Sequence, residues 1–497
     1  MRECGILLPI ASLPSKYGIG AFSKEAYEFV DQLKAAGQSY WQILPLGPTG
    51  YGDSPYQTFS AFAGNPYFID LEQLTEVGLL TLEECREADF GEEEDRINYE
   101  KIYKSRFAVL KKAFLRWKKS ISRGGLRGDE IFQEELARET REYCFYAALK
   151  RHFKDISWEK WDQDIRMREK EAVKRYKELL AEEIEFYGFQ QVMFQRQWRK
   201  LKEYANSQGI RFIGDIPIYV AFDSADAWSC PELFQFDKDN RPRAVAGCPP
   251  DAFSDTGQLW GNPLYDWKYH EKTGYAWWMK RMKYSFDLYD VVRIDHFRGF
   301  DEYYAIPADE DTAVNGTWRK GPGMALFTKM KETLGDVDII AEDLGFLTPS
   351  VHKLLEDTGF PGMKVLQFAF SVSERSDYLP YLYDHNCVVY TGTHDNDTTR
   401  GWYETMDKGE RRFAQKYMNI EDTPEEEISW DFIRLAVASA ADLAVIPLQD
   451  YLGIGKEGRI NTPSTLGGNW MWRMKKGQFT PKIIERCREL NWIYGRC

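Results

Sequence analysis

Cysteine never occurs as a C-x-x-C pair in this chain. The eight residues (Cys4, Cys85, Cys144, Cys230, Cys248, Cys387, Cys487 and Cys497) are scattered along its whole length. That spacing argues against a zinc site or a disulfide framework and suits reduced thiols in a reducing compartment. No run of about 18 apolar residues is present, so a membrane-spanning helix is not expected. Met1-Arg-Glu-Cys-Gly5 leads straight into a short apolar stretch with no signal-peptide core, and the expectation is a cytoplasmic protein. Positive charge is in deficit, with 65 Lys and Arg against 78 Asp and Glu and a net charge of −13. Such a field repels nucleic acid and leaves a neutral substrate or a small cation as the expected ligand.

What is plentiful is aromatic. The 497 residues include 16 Trp, 29 Tyr and 30 Phe, or 15% aromatic, within an otherwise ordinary globular composition of 43% hydrophobic and 29% charged residues. Core packing absorbs most of these rings, but a surplus is suited to stacking on flat apolar faces such as those of sugars.

Apolar runs and helical periodicity alternate along the chain. Gly5-Ile-Leu-Leu-Pro-Ile10 reads as a strand, followed by a helix that Ser23 caps and Gly37 ends, then a second strand at Trp41-Gln-Ile-Leu-Pro-Leu46. Residues 71 to about 208 are charged and glycine-poor, with helical periodicity in 100–118, 130–153 and 167–207. The charge runs there read as solvated helix faces. Alternation then resumes, giving eight strands at 5–10, 40–46, 211–217, 291–296, 339–343, 364–370, 387–393 and 443–448. Eight strands with helices between them predict a (β/α)8 TIM barrel, with a doubly wound open sheet as the competing arrangement. The expected organisation is one catalytic domain over 1–497 with largely helical insertions and no separate C-terminal β domain. A helical insertion spans 71–180, and an irregular Pro/Gly-rich insertion, 221–272, covers the active site.

In a barrel of this kind the C-terminal strand ends carry the chemistry. Asp215, Arg293, Asp295, Glu342, Asp343 and the run His394-Asp-Asn-Asp397 all fall there. Arg293 and Asp295 are two apart on one strand and share a face, so the guanidinium is expected to keep that carboxylate ionised, as a nucleophile requires. Glu342 follows the apolar Ile339-Ile-Ala341, where burial and neighbouring anions raise a carboxyl pKa into the range of a general acid. Asp395 is a third carboxylate, placed to bind ring hydroxyls. Two working carboxylates in an aromatic surround describe glycosyl transfer or hydrolysis with retention.

The motifs that carry this pattern are Gly50-Tyr-Gly-Asp-Ser-Pro-Tyr-Gln57, Gly214-Asp-Ile-Pro-Ile218, Ala246-Gly-Cys-Pro-Pro-Asp251, Gly257-Gln-Leu-Trp-Gly-Asn-Pro263, Arg293-Ile-Asp-His-Phe-Arg-Gly-Phe300, Ala341-Glu-Asp-Leu-Gly345, Thr391-Gly-Thr-His-Asp-Asn-Asp397 and Arg459-Ile-Asn-Thr-Pro463. In that order, nearly end to end, the sequence resembles the 4-α-glucanotransferases (amylomaltases, or disproportionating enzymes) of glycoside hydrolase family 77, in the α-amylase clan. The resemblance implies Asp295 as nucleophile, Glu342 as acid/base and Asp395 as transition-state stabiliser. It implies sugar contacts at Arg293, His394, Asp215, Tyr56, Trp260, Ser54 and Asn461, a mobile cover around Asp251, and a secondary glucan site at Tyr51. Maltooligosaccharides and α-1,4-glucans are the implied donor and acceptor, acted on by a monomer or homodimer without metal or cofactor. Transfer rather than hydrolysis rests on the resemblance, because an α-1,4-glucan hydrolase of the clan would use the same carboxylates. Pro463-Ser-Thr departs from the Pro-Gly often found in the family at that loop.

Three other signals carry less. Gly453-Ile-Gly-Lys-Glu-Gly458 fits GxGxxG, but Arg-Ile-Asn-Thr-Pro follows instead of a helix, and no Asp or Glu occurs from 471 to 480 to hold a ribose. Asp237-Lys-Asp-Asn240 lacks the remaining ligands of a calcium loop. His394-Asp-Asn-Asp397 has no second histidine at helical spacing, as a catalytic metal site would.

Overall fold

The computed structural model describes residues 2–50, 52–124, 127–250, 254–345, 347–420 and 423–497. Its twelve strands are β1 (Glu3–Leu7), β2 (Tyr40–Gln42), β3 (Arg211–Pro217), β4 (Ala244–Cys248), β5 (Gln258–Pro263), β6 (Val291–Asp295), β7 (Glu302–Pro307), β8 (Thr317–Lys320), β9 (Ile339–Ala341), β10 (Gly362–Val365), β11 (Cys387–Tyr390) and β12 (Leu443–Pro447). Eight of them, in the order β10-β11-β12-β1-β2-β3-β6-β9, form one parallel sheet. These are the eight strands expected from the sequence: β3 has the expected bounds, 211–217, and the other seven are shorter than their apolar runs or offset from them by a residue or two. The sheet closes between β9 and β10, where the Ala341 N–H donates to the Pro361 carbonyl at 3.0 Å. The Asp343 carboxylate accepts the Met363 N–H across the same junction at 2.6 Å.

Inside the barrel Leu7, Ile213, Val365, Tyr390 and Val445 are fully buried together. Branched and aromatic side chains pointing inward fill such a cylinder, so it is a packed core rather than a channel. Each of these aliphatic side chains contributes roughly 1.5–3 kcal/mol relative to leaving it in water. Outside, the helix Lys24–Ala35 buries Ala26, Phe29, Val30 and Leu33 at helical spacing, and Gly37 leaves it with φ 68. Ser23 does not cap that helix through its side chain. Its hydroxyl is instead engaged with Ser15 at 2.7 Å and donates to Glu25 at 2.6 Å.

The insertion after β2 is a helical layer. The helix Tyr99–Arg123 buries Ile102, Val109, Leu110, Ala113, Phe114 and Trp117, a stripe with the 3–4 residue period of one helix face. That stripe packs on Phe186 and Phe189 of the helix Ala181–Ser207. The same long helix then reaches the barrel, with Trp198 4.7 Å from Phe212 of β3. The helical periodicity over 167–207 is divided between two helices, one ending at Leu179 and the next beginning at Ala181, around Leu180 with ψ 17.

The stretch 221–272 departs from the irregular loop expected of it. It contains β4 and β5, which join β7 and β8 in an antiparallel sheet of order β5-β4-β7-β8. Half of that sheet comes from residues after β6, so its pairing is invisible to local pattern. β8 is exposed on both faces and shows no apolar alternation.

Candidate active site

The register of β3 against β6 sets Asp215 opposite Arg293 and Pro217 opposite Asp295. Arg293 Nη1 donates to both carboxylate oxygens of Asp215, at 2.8 and 2.7 Å, and to Asp295 Oδ1 at 3.1 Å. Arg293 and Asp215 are buried, whereas the Asp295 side chain is 32% exposed. The guanidinium is therefore shared, and Asp215 takes the larger part of it. This corrects the expectation that Arg293 simply holds Asp295 ionised. Burial in the cleft lifts the Asp295 carboxyl to about 6, with Arg293 opposing the shift and Asp215 and Asp395 adding to it.

Glu342 follows β9 directly. Its Oε2 accepts the N–H of His296 at 2.6 Å and its Oε1 the N–H of Leu344 at 2.8 Å. His296 is the residue after Asp295 and has left-handed backbone, φ 57 and ψ 49, which turns its N–H toward Glu342. Two bonds from backbone N–H groups favour the anion, but burial and then the Asp295 charge outweigh them and lift Glu342 to about 7. The His296 imidazole is pushed down to about 3 by burial and then Arg298, so it is neutral. Trp260 meets that ring edge-on, 4.8 Å between centroids at 88°. Asp343, grouped with Glu342 from sequence, does not face the cleft. Its carboxylate is spent on the β9–β10 junction.

Asp395 lies beyond β11, 3.3 Å from His394 Nε2 and accepting from Asn461 Nδ2 at 2.6 Å. Burial works against its charge, but His394 and Asn461 prevail and hold the carboxyl well below the usual carboxylate range. The reciprocal effect is seen on His394: burial pulls the imidazole down, Asp395 outweighs it, and the net shift is upward. The other face of His394 is covered by Tyr56, stacked at 5.0 Å and 17°. Tyr56 Oη donates to Asp215 Oδ2 at 2.7 Å and lies 3.4 Å from His394 Nδ1. A continuous polar chain thus runs Asp295–Arg293–Asp215–Tyr56–His394–Asp395–Asn461. Asp295 and Asp395 in this chain are open to solvent, and Arg293, Asp215 and His394 between them are dry.

Of the remaining sequence expectations, Ser54 Oγ accepts the Tyr56 N–H at 3.3 Å and so shapes the turn that presents Tyr56. Tyr51 and Asp251 lie outside the described residues. Two residues escaped the sequence reading. His296 was passed over between Asp295 and Phe297, and Trp470 packs on both Tyr56 and His394. The available signal for Trp470 was the Trp470-Met-Trp472 pair closing the glycine-containing stretch after Asn461. Among the described residues, no group of three or more His, Cys, Asp or Glu is placed to hold a metal ion.

The arrangement offers one carboxylate that is ionised at neutrality, a second that can carry a proton there, and a third locked as an anion. Carboxyl groups in these states can serve acid and nucleophile roles in displacement at an anomeric carbon.

Comparison with known proteins agrees with this chemistry. Residues 8–479 match the glycoside hydrolase family 77 model, described as 4-alpha-glucanotransferase. A 4-alpha-glucanotransferase of Clostridium butyricum is 50% identical over 493 residues, 98% of this chain and 99% of that protein. One from Thermus thermophilus is 47% identical over 494 residues, 98% of each. The structure of an amylomaltase from Streptococcus agalactiae in complex with acarbose superposes with a TM-score of 0.96 at 41% identity, covering 100% of both chains.

Proposed function

Because the chain belongs to glycoside hydrolase family 77, the 4-alpha-glucanotransferases, we propose that Asp295, Glu342 and Asp395 carry out its transfer of α-1,4-glucan segments by double displacement. A carboxylate oxygen of Asp295 bonds to the anomeric carbon of the donor as the bond to the leaving 4-oxygen breaks. Glu342 delivers its proton to that oxygen. The 4-hydroxyl of an acceptor then gives its proton to Glu342, its oxygen bonds to the anomeric carbon, and Asp295 leaves as carboxylate. Asp395 holds ring hydroxyls and stabilises the positive charge that develops on the ring.

The observation that carries this reading is the single turn joining the two working groups. The residue after Asp295 donates its N–H to Glu342, and the Asp295 charge helps keep Glu342 protonated. An acid must hold its proton until the leaving oxygen needs it, and a neighbouring anion secures that.

Around these three, Tyr56 and Trp260 supply aromatic faces for sugar rings, and Arg293, His394, Asp215, Asn461 and Ser54 orient the ring bound at the centre. Asp251 belongs to a cover formed by 221–272, Tyr51 to a secondary glucan contact, and 71–180 to a helical wall of the groove. The enzyme works in the cytoplasm as a monomer or homodimer. No helix among the described residues is long and apolar enough to cross a membrane.

Incubation with maltotriose tests the reading. Transfer gives glucose and longer maltodextrins at constant reducing ends, whereas hydrolysis raises reducing ends. Asp295→Asn should abolish transfer with the fold retained, and activity near wild type would overturn the assignment. Acarbose, the ligand of the Streptococcus agalactiae relative, should compete with maltotriose.

A further inference from the structure

Trp470 is 8% exposed and has little surface to offer a sugar. Its indole nevertheless lies against the two rings at the centre of the polar chain, 6.0 Å from Tyr56 and 5.9 Å from His394. Its backbone is left-handed, φ 64, a region that bulky L-residues adopt only when their surroundings enforce it. Two main-chain bonds do so here. The Trp470 N–H donates to the Ile460 carbonyl at 2.7 Å, and the Trp470 carbonyl accepts from Tyr99 Oη at 2.8 Å.

Packing around Trp470 is incomplete: a cavity of about 40 Å³ is lined by Trp470 together with Ile460, Tyr67, Tyr99 and Asp53 among others. Where neighbours leave room, a ring stays in place only if its backbone does. Tyr99 is the first residue of the insertion helix Tyr99–Arg123. The segment leading into that helix is bonded to the chain following Trp470: Ile97 N–H to the Met471 carbonyl at 2.8 Å, and Arg473 N–H to the Asp95 carbonyl at 2.9 Å.

We propose that Trp470 is a positioning residue for glucan transfer. Held by the Tyr99 hydroxyl, it fixes Tyr56 and His394 in the stack that keeps Asp395 aimed and anionic. The helical insertion thereby reaches the catalytic centre through one hydrogen bond. The inference rests on the assignment of Asp295 and Asp395 given above. Without the indole, Tyr56 and His394 gain room toward the cavity, and their bonds to Asp215 and Asp395 lengthen. The loss falls on stabilisation of the developing charge more than on ground-state binding, because neither Trp470 nor Tyr99 needs to touch the donor.

The test is steady-state maltotriose disproportionation by the full chain carrying Trp470→Ala, Trp470→Phe, Tyr99→Phe, and Tyr99→Phe combined with Trp470→Ala. Displacement of a catalytic group by about 1 Å costs on the order of a hundredfold. Trp470→Ala should therefore lower kcat by roughly 10–100-fold with KM held within about threefold, and Trp470→Phe should recover most of the loss. Tyr99→Phe should lower kcat by roughly 3–10-fold alone and add nothing when Trp470 is already Ala, the non-additivity of residues acting in series. Wild-type kcat in Tyr99→Phe or in a folded Trp470→Ala, an effect confined to KM, or an equal effect of Tyr99→Phe in both backgrounds would overturn the proposal. If Trp470→Ala does not fold, Tyr99→Phe decides through the split between kcat and KM. Asp295→Asn in the same assay separates the two ideas. If it is inactive while the Trp470 variants match wild type, only the positioning role fails; if it is active, the site assignment fails first.

Discussion

Asn461 and His394 converge on the same oxygen of Asp395: Asn461 Nδ2 donates to Oδ1 at 2.6 Å, and His394 Nε2 lies 3.3 Å from it. A carboxylate has several acceptor positions and these two neighbours fill one side only, so in the proposed mechanism Oδ2 is the oxygen that meets a sugar hydroxyl. Asn461 thus acts on this carboxylate directly, whatever contact it also makes with substrate.

Asn461→Ala should reduce kcat for maltotriose by about tenfold, the usual scale for losing one hydrogen bond to a charged group, with apparent unfolding temperature nearly unchanged. Asn461→Asp should be more damaging, because it sets a second anion against Asp395. Equal activity of the two variants would show that charge at Asp395 is not what Asn461 controls.

Asp215→Asn separates stability from catalysis. It leaves Arg293 buried with one anionic partner fewer, a loss of about 3–5 kcal/mol when a buried pair is broken. It also frees the guanidinium for Asp295 and removes a negative neighbour, so the Asp295 carboxyl should fall from about 6. Thermal unfolding reads the first effect. The acid limb of the pH profile of kcat/KM reads the second and should move to lower pH.

Wild-type kcat/KM should be bell-shaped with its maximum between about 6 and 7, the values to which burial lifts Asp295 and Glu342. Below that window the nucleophile is protonated. Above it the acid has lost the proton it must donate. Activity that stays flat from pH 6 to pH 9 would contradict the acid assignment.

Glu342 also leaves a mark on stability. Its carboxyl in the folded protein sits near 7, above an unfolded value of about 4.3. As pH rises between those values the unfolded chain gives up its proton first, so this residue makes folding less favourable across that window. Glu342→Gln should therefore raise the apparent unfolding temperature at pH 8 and leave it unchanged at pH 4. A variant no more stable than wild type at pH 8 would show that Glu342 ionises freely.

The barrel was legible because its strands are local objects. Val291-Val-Arg-Ile-Asp295 and Ile339-Ile-Ala341 announce themselves as short apolar runs ending in charge, and eight such runs in alternation leave few architectures. The positions of Asp295 and Glu342 were legible for the same reason, each standing at the end of its run, whereas Asp395 follows β11 only after a further turn. What the sequence hid is pairing across distance. Tyr56 and His394 are 338 positions apart and Tyr56 and Asp215 are 159 apart, so nothing local marks them as one network. Arg293 was read with Asp295, its neighbour two residues away, although β3 sets Asp215 directly opposite it. The β4–β5–β7–β8 sheet escaped for the same reason, since its second pair of strands follows β6. The break at Leu180 has no proline or glycine beside it, and periodicity runs across it unchanged.

β1 is hydrogen-bonded on one side to β12, with Glu3 opposite Leu443 and Leu7 opposite Pro447. During synthesis that side of the first strand has no native partner until the far end of the chain has emerged. Its unmet backbone groups remain available to any other extended segment, the condition under which large chains stray into aggregates. Expression yield should accordingly depend on how quickly those last residues are delivered, and slower, cooler synthesis or added chaperone is the lever to try first.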